Sequence, residues 1–158
     1  MAFRLQPTDA DFVANAPQRY VFAMDLPAPA ETVWQGLVAD KPLAWVRGLS
    51  IGWTSARPFD VGTTRTAKGG FGAIWLYERY VVWEEGHRQV FVVERSNVPL
   101  FHRFAENYLV EPTADGCRFT WTFAVEPRGP RAVRAVDNLI QRGMFGAMAS
   151  DTRKHFGA

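Results

Sequence analysis

One cysteine, Cys117, stands in 158 residues. That excludes an intramolecular disulfide and any cysteine-rich metal motif; it fits a reducing compartment, with packing as the expected role of the thiol. Histidine is also scarce, and His87, His102 and His155 lie too far apart to suggest a metal triad. We therefore expect no metal and no cofactor. Charge of neither sign dominates: the formal net charge is +2, and although arginine far outnumbers lysine there is no basic run, so a nucleic-acid partner is not expected. No apolar stretch approaches the roughly 18 residues of a membrane span. The first nine residues, Met1 to Asp9, lack the apolar core of a secretory signal. The expectation is a cytoplasmic protein without integral membrane association.

Aromatic residues are abundant, with six Trp, twelve Phe and four Tyr, and hydrophobic residues make up 47% of the chain. Such rings build either a large core or a lined cavity. The length suits one domain, and we divide the chain into an N-terminal arm, 1–18, and a single domain, 19–158. Pro7 and Pro17 interrupt the arm, with room for a short helical turn through Phe12 and Val13. Arg19 to Asp25 alternates as a strand. Pro29 then opens a short helix with Val33, Trp34, Leu37 and Val38 on one face, and Pro42 to Val46 suggests a second short helix. Six further strands are expected at about 49–56, 62–68, 74–83, 87–96, 102–112 and 116–126, separated by short turns that favour antiparallel neighbours. From Pro130 to His155 the pattern is helical. Val133, Val136, Ile140, Met144, Ala147 and Met148 lie on one side, with Arg131, Arg134, Asn138, Gln141, Arg142 and Arg153 opposite. The first strand, isolated by helices, must pair with a late strand. The fold class is α+β.

Several fragments, in this order and spacing, resemble the START/Bet v1-like superfamily, specifically its polyketide cyclase/dehydrase and lipid-transport branch. They are Pro-Ala-Glu-Thr-Val-Trp at 29–34, Pro58-Phe59 with Gly62-Thr63-Thr64-Arg65, Tyr77-Glu78-Arg79, Trp83 to Arg88, Val110-Glu111-Pro112 and Gly116 to Trp121. The resemblance covers about residues 19–157. It implies a helix-grip fold, a curved seven-stranded antiparallel sheet wrapped around the long C-terminal helix, with two short helices after the first strand. It also implies a cavity for small hydrophobic molecules. Relatives of this kind include binders and transporters, aromatase/cyclase enzymes and proteins without a settled role, and a shared fold does not choose among them.

Arg65 and Glu78 occupy mirror positions about the turn Gly69-Gly70-Phe71-Gly72, so a regular hairpin sets them face to face. Buried, they would be a charged pair in an apolar chamber; exposed, an ion pair of little energetic weight. The same register puts Ile74 and Val82 on that face, and in the next hairpin, with the acidic turn Glu85-Gly86 at its tip, Tyr80 pairs with Phe91 and Glu78 with Val93. Trp75, Tyr77, Val81 and Trp83 fall on the other, where a dimer partner, the arm or a register slip must account for them. In the last hairpin Phe104, Glu106, Tyr108 and Val110 oppose Phe119, Trp121, Phe123 and Val125. Glu106 is the outlier: a cavity carboxyl able to move a proton, or the partner of Arg103 on the outside. Neither a Ser nor a Cys nucleophile with a nearby base is visible, and the glycine turn lacks the lysine and helix of a phosphate loop.

The leading expectation is a non-catalytic cavity protein for a small hydrophobic, aromatic, polyketide-like or lipid molecule. Arg65, Glu78, Tyr80, Phe91, Glu106, Tyr108, Trp121, Ile140, Met144 and Met148 would contact the ligand. The alternatives are a cofactor-independent cyclase, aromatase or dehydratase using Glu78, Glu106 and Arg65, and an assembly subunit, such as a homodimer, whose cavity is vestigial.

Overall fold

The structure, a computed structural model, describes residues 1–158 apart from the side chains of residues 131–136. Its strands are β1 (Phe3–Arg4), β2 (Gln18–Leu26), β3 (Ser50–Trp53), β4 (Thr64–Gly69), β5 (Ile74–Glu84), β6 (Arg88–Ser96), β7 (Phe101–Thr113) and β8 (Gly116–Pro127). The helices are α1 (Phe12–Asn15), α2 (Ala30–Val38) and α3 (Arg131–His155). All strands join one antiparallel sheet in the order β2-β8-β7-β6-β5-β4-β3, with β1 added on β6. This is the expected α+β helix-grip arrangement. As anticipated, the first long strand closes the sheet against a late one, β2 pairing β8 from Gln18↔Val125 to Leu26↔Cys117.

Three features differ from the sequence reading. The sheet has eight strands rather than seven, because Phe3 and Arg4 of the arm pair with Ser96 and Arg95. The second short helix is absent: residues 41–48 form turns and bends, and Leu43 takes a left-handed backbone (φ 54°) that no helix continues through. The buried stripe of α3 is also rotated. Gln141, Phe145, Ala149 and Thr152 are buried, while Ile140 is 64% exposed. Hydropathy favours Ile140 over Gln141, but packing is set by Phe145, whose ring stacks on Phe123 at 3.9 Å. Val133, Val136, Arg131 and Arg134 lie outside the described side chains.

The concave face of the sheet meets α2 and α3 over the main core, which includes Met24, Trp34, Leu37, Phe91, Tyr108, Phe119, Trp121 and Phe123. The convex face carries a smaller cluster in which Phe12 and Val13 of α1 cover Val90, Val92, Ala105 and Ala124. That cluster explains part of the aromatic strand. Val81 packs there, together with Val82, which was expected inside. A bulge between Tyr80 and Val82 shifts the register and turns Trp83 to the concave side, against Trp34 and Tyr80. Trp75 and Tyr77 stay outside, each under a cation: Lys68 lies 4.2 Å from the Trp75 ring and Arg95 4.5 Å from that of Tyr77. The β7–β8 turn requires glycine at 116. Its φ is +153°, and a Cβ there would come 2.1 Å from the Leu26 carbonyl oxygen.

Candidate functional site

The β4–β5 hairpin places Arg65 opposite Glu78, and both side chains point to the concave face with about 1% exposure. Arg65 Nε donates to Glu78 Oε2 at 2.5 Å, and Nη2 donates to the Tyr108 hydroxyl at 3.1 Å. The guanidinium lies over the Phe91 ring, 4.1 Å from its centroid, with the Tyr80 ring at 5.3 Å. Burial opposes the charge on Arg65, but Glu78 and the tyrosines more than offset it and hold the guanidinium protonated. Burial likewise pushes the Glu78 carboxyl up, with Arg65 pulling it back. Buried together, the two charges compensate each other.

Glu106 lies on β7 opposite Phe123 on one side and Phe91 on the other. It is the odd acid of the interior, because the nearby cation is already taken by Glu78. Trp121 Nε1 donates to its Oε2 at 2.8 Å; among the described residues no donor reaches Oε1. Burial, then the negative charge of Glu78, push its pKa up to about 8 against the Trp121 hydrogen bond and Arg65. At neutral pH Glu106 is a carboxylic acid, and hence itself a donor.

These groups sit at one end of a cavity of about 220 Å³. Its walls are mainly apolar: Ile51, Ala67, Leu76, Phe101, Phe104 and Phe123 from the sheet, Met144, Phe145 and Met148 from α3, and Leu43 from the turns after α2. The cavity reaches the surface between Arg47, Gly70 and Phe71, where Phe71 is 89% exposed in a left-handed conformation (φ 57°). Across this mouth Arg47 Nε and backbone N donate to the Asp151 carboxylate of α3. Trp45 stacks on His155 and donates to Thr152 Oγ1, tying the same loop to the helix end.

Of the residues expected to contact a ligand, Arg65, Glu78, Glu106, Tyr108, Trp121, Met144 and Met148 line the cavity. Tyr80 and Phe91 do not; both are fully buried behind Arg65, as the floor on which its guanidinium rests. Ile140 is on the outside of α3. Glu106 turns inward, and Arg103 pairs instead with Glu126. Phe145 and the Arg47–Asp151 bridge were not anticipated. A helical stripe centred on Phe145 and Ala149 would have found the first; an ion pair 104 residues apart in sequence leaves no local signal. Among the described residues no group of three or more His, Cys, Asp or Glu is placed to hold a metal, and no helix is long and apolar enough to cross a membrane.

The fold is shared with solved structures of low identity. The START superfamily protein from Mycobacterium smegmatis superposes with a TM-score of 0.68 at 11% identity, covering 88% of this chain and 97% of that one. XoxI from Bacillus cereus gives 0.68 at 17% identity, covering 87% and 94%, and ginseng major latex-like protein 151 gives 0.64 at 11%, covering 88% and 97%. In sequence, uncharacterised proteins of Mycobacterium tuberculosis and Mycobacterium bovis are each 33% identical over 156 residues, spanning 93% of this chain and 92% of theirs. The family described as polyketide cyclase / dehydrase and lipid transport matches residues 17–154, almost the whole chain, and this protein belongs to it.

Proposed function

We propose that the chain binds a small, largely hydrophobic molecule in the chamber between the sheet and α3. One observation carries this reading: an interior space of about 220 Å³ with mainly apolar walls and, apart from the Arg47–Asp151 pair at the mouth, its polar groups clustered around Arg65. A well-packed core leaves few voids larger than a water molecule, whereas a dry apolar space of about 150 Å³ is enough to take benzene. This chamber suits one or two fused rings and is too small for a sterol or a long acyl chain to enter whole. Most of the affinity would come from Phe104, Phe123, Phe145 and the methionines, with Arg65, Glu78, Glu106 and Tyr108 orienting polar substituents.

The test is thermal unfolding with and without 2-acetylnaphthalene, for the wild type and for Ala67→Phe, which fills the chamber from β4. At a ligand concentration about 100 times Kd, binding stabilises by about 2.7 kcal/mol, or several degrees in Tm for a domain of this size. The shift is expected in the wild type and not in the filled variant; equal behaviour of the two contradicts the proposal. A catalytic reading has one observation in its favour. Glu106 is a buried carboxyl lining the chamber, and with its pKa pushed up to about 8 it would serve as a general acid for cyclisation or dehydration of a carbonyl compound. Turnover of a poly-β-keto substrate that disappears in Glu106→Gln, with ligand binding retained, separates catalysis from binding alone.

A further inference from the structure

Resting on the cavity reading above, we propose that Glu106 and Tyr108 form a pair of neutral hydrogen-bond donors for one carbonyl oxygen, so that the chamber selects uncharged, ring-sized ketones over hydrocarbons and carboxylates. Three features of the polar end carry this. Both residues lie on the concave face of β7, two positions apart, and both line the chamber. Tyr108 spends its oxygen lone pair on Arg65 Nη2, and its own hydrogen has no acceptor among the described residues. Glu106 receives the Trp121 N–H on Oε2, and its Oε1 likewise has no partner among them. Two neutral O–H groups thus remain for an acceptor brought by the ligand, beside the Arg65 Nη1 N–H, which is also without a partner among the described residues but belongs to the cation that Glu78 compensates.

The charges at this end decide what kind of acceptor. Arg65 from β4 and Glu78 from β5 cancel. From β5 Tyr80 also approaches, from β7 Tyr108, and from β8 only the Trp121 indole; β6 brings Phe91 and no ionisable group. From the helix side the ionisable group among the described residues is Asp151, already bridged to Arg47 at the mouth. With Glu106 protonated the interior is neutral overall, and a ligand carboxylate would be buried without a counter-cation, an expensive arrangement. A ketone adds no charge and satisfies both donors. Arg65, by holding the Tyr108 oxygen, strengthens the phenol as a donor through a hydrogen-bonded chain. A tyrosine beside a protonated acid in an apolar site is a known device for binding a carbonyl oxygen.

The experiment compares 2-acetylnaphthalene, the near-isosteric hydrocarbon 2-isopropylnaphthalene and 2-naphthoate by titration calorimetry. At about pH 6.5 the ketone is expected to bind roughly tenfold more tightly than the hydrocarbon, the value of one to two net hydrogen bonds, and naphthoate more weakly than either. At about pH 9.5 the wild type should lose most of its preference for the ketone, because ionised Glu106 no longer donates. Glu106→Gln, which keeps an N–H donor at every pH, should retain the preference throughout. Equal binding of ketone and hydrocarbon by the wild type at the lower pH, or a preference unchanged at the higher, overturns the donor pair while leaving the cavity reading standing. Failure of all three compounds to bind overturns both. The wild-type arms need no variant to fold.

Discussion

Replacing Glu106 by Gln should remove the pH dependence that this carboxyl imposes on folding. The ordinary carboxyl value is 4.5, and in the folded protein it is pushed up to about 8. Between those limits the unfolded chain is ionised at this position while the native protein keeps its proton. The unfolded state therefore binds fewer protons, and native stability falls as pH rises, by about 1.36 kcal/mol per pH unit. The contribution is fully present below about pH 4.5 and lost by the time pH passes about 8, a loss on the order of 5 kcal/mol. That is a large share of the 5–15 kcal/mol typical of a domain. Glutamine can still accept the Trp121 N–H and cannot ionise. Urea unfolding of both proteins at a series of pH values removes other titrating groups from the comparison, since they are common to both. The stability of Glu106→Gln relative to wild type should climb steadily from about pH 5 to 8 and then level off. Parallel curves would mean that Glu106 titrates like a solvated carboxyl, and the buried acid would have to be abandoned.

Arg65→Met should cost about 3–5 kcal/mol by urea unfolding, because it strands Glu78 in the interior, whereas Arg65→Met with Glu78→Leu should recover most of the loss; a single variant within about 1 kcal/mol of wild type would show that water reaches the pair. Phe145→Ala should lose about 3–5 kcal/mol, while Ile140→Ser should stay within about 0.5 kcal/mol, the reverse of what hydropathy along α3 suggests. Gly116→Ala should destabilise by about 2–4 kcal/mol, measured the same way, since its Cβ would meet the backbone of Leu26 and Pro27. Asp151→Asn should speed exchange of bound 2-acetylnaphthalene in stopped-flow fluorescence by releasing Arg47 from the mouth, with little change in the ketone preference.

Local patterning made the strands and their pairing legible. Turn residues fix hairpin register, so Arg65↔Glu78 and Tyr80↔Phe91 followed from counting outward from the glycine and acidic turns, and the turn at Thr113–Gly116 set Glu106 and Tyr108 on the same face as Trp121 and Phe123. Counting fails at a bulge, which has no reliable sequence mark, and Val82 and Trp83 changed sides for that reason. The helix stripe was misplaced by one position because a buried Gln141 reads as polar. Its Nε2 donates to Asp137 within the helix while the rest of the side chain is covered. Tyr80 and Phe91 were on the right face but one layer too deep: alternation reports which face a side chain takes, not whether another side chain, here Arg65, lies over it. The β1 strand has two residues and no periodicity to detect. The mouth depends on contacts between the turns after α2 and the end of α3, which no local pattern encodes.

A crystal structure grown with 2-acetylnaphthalene bears most directly on the central claim. The rings should lie against the Phe123–Phe145 stack and Met144, with the carbonyl oxygen within hydrogen-bond distance of both the Glu106 carboxyl and the Tyr108 hydroxyl. An interior closed by the protein's own side chains, with the compound elsewhere or absent, would contradict the account.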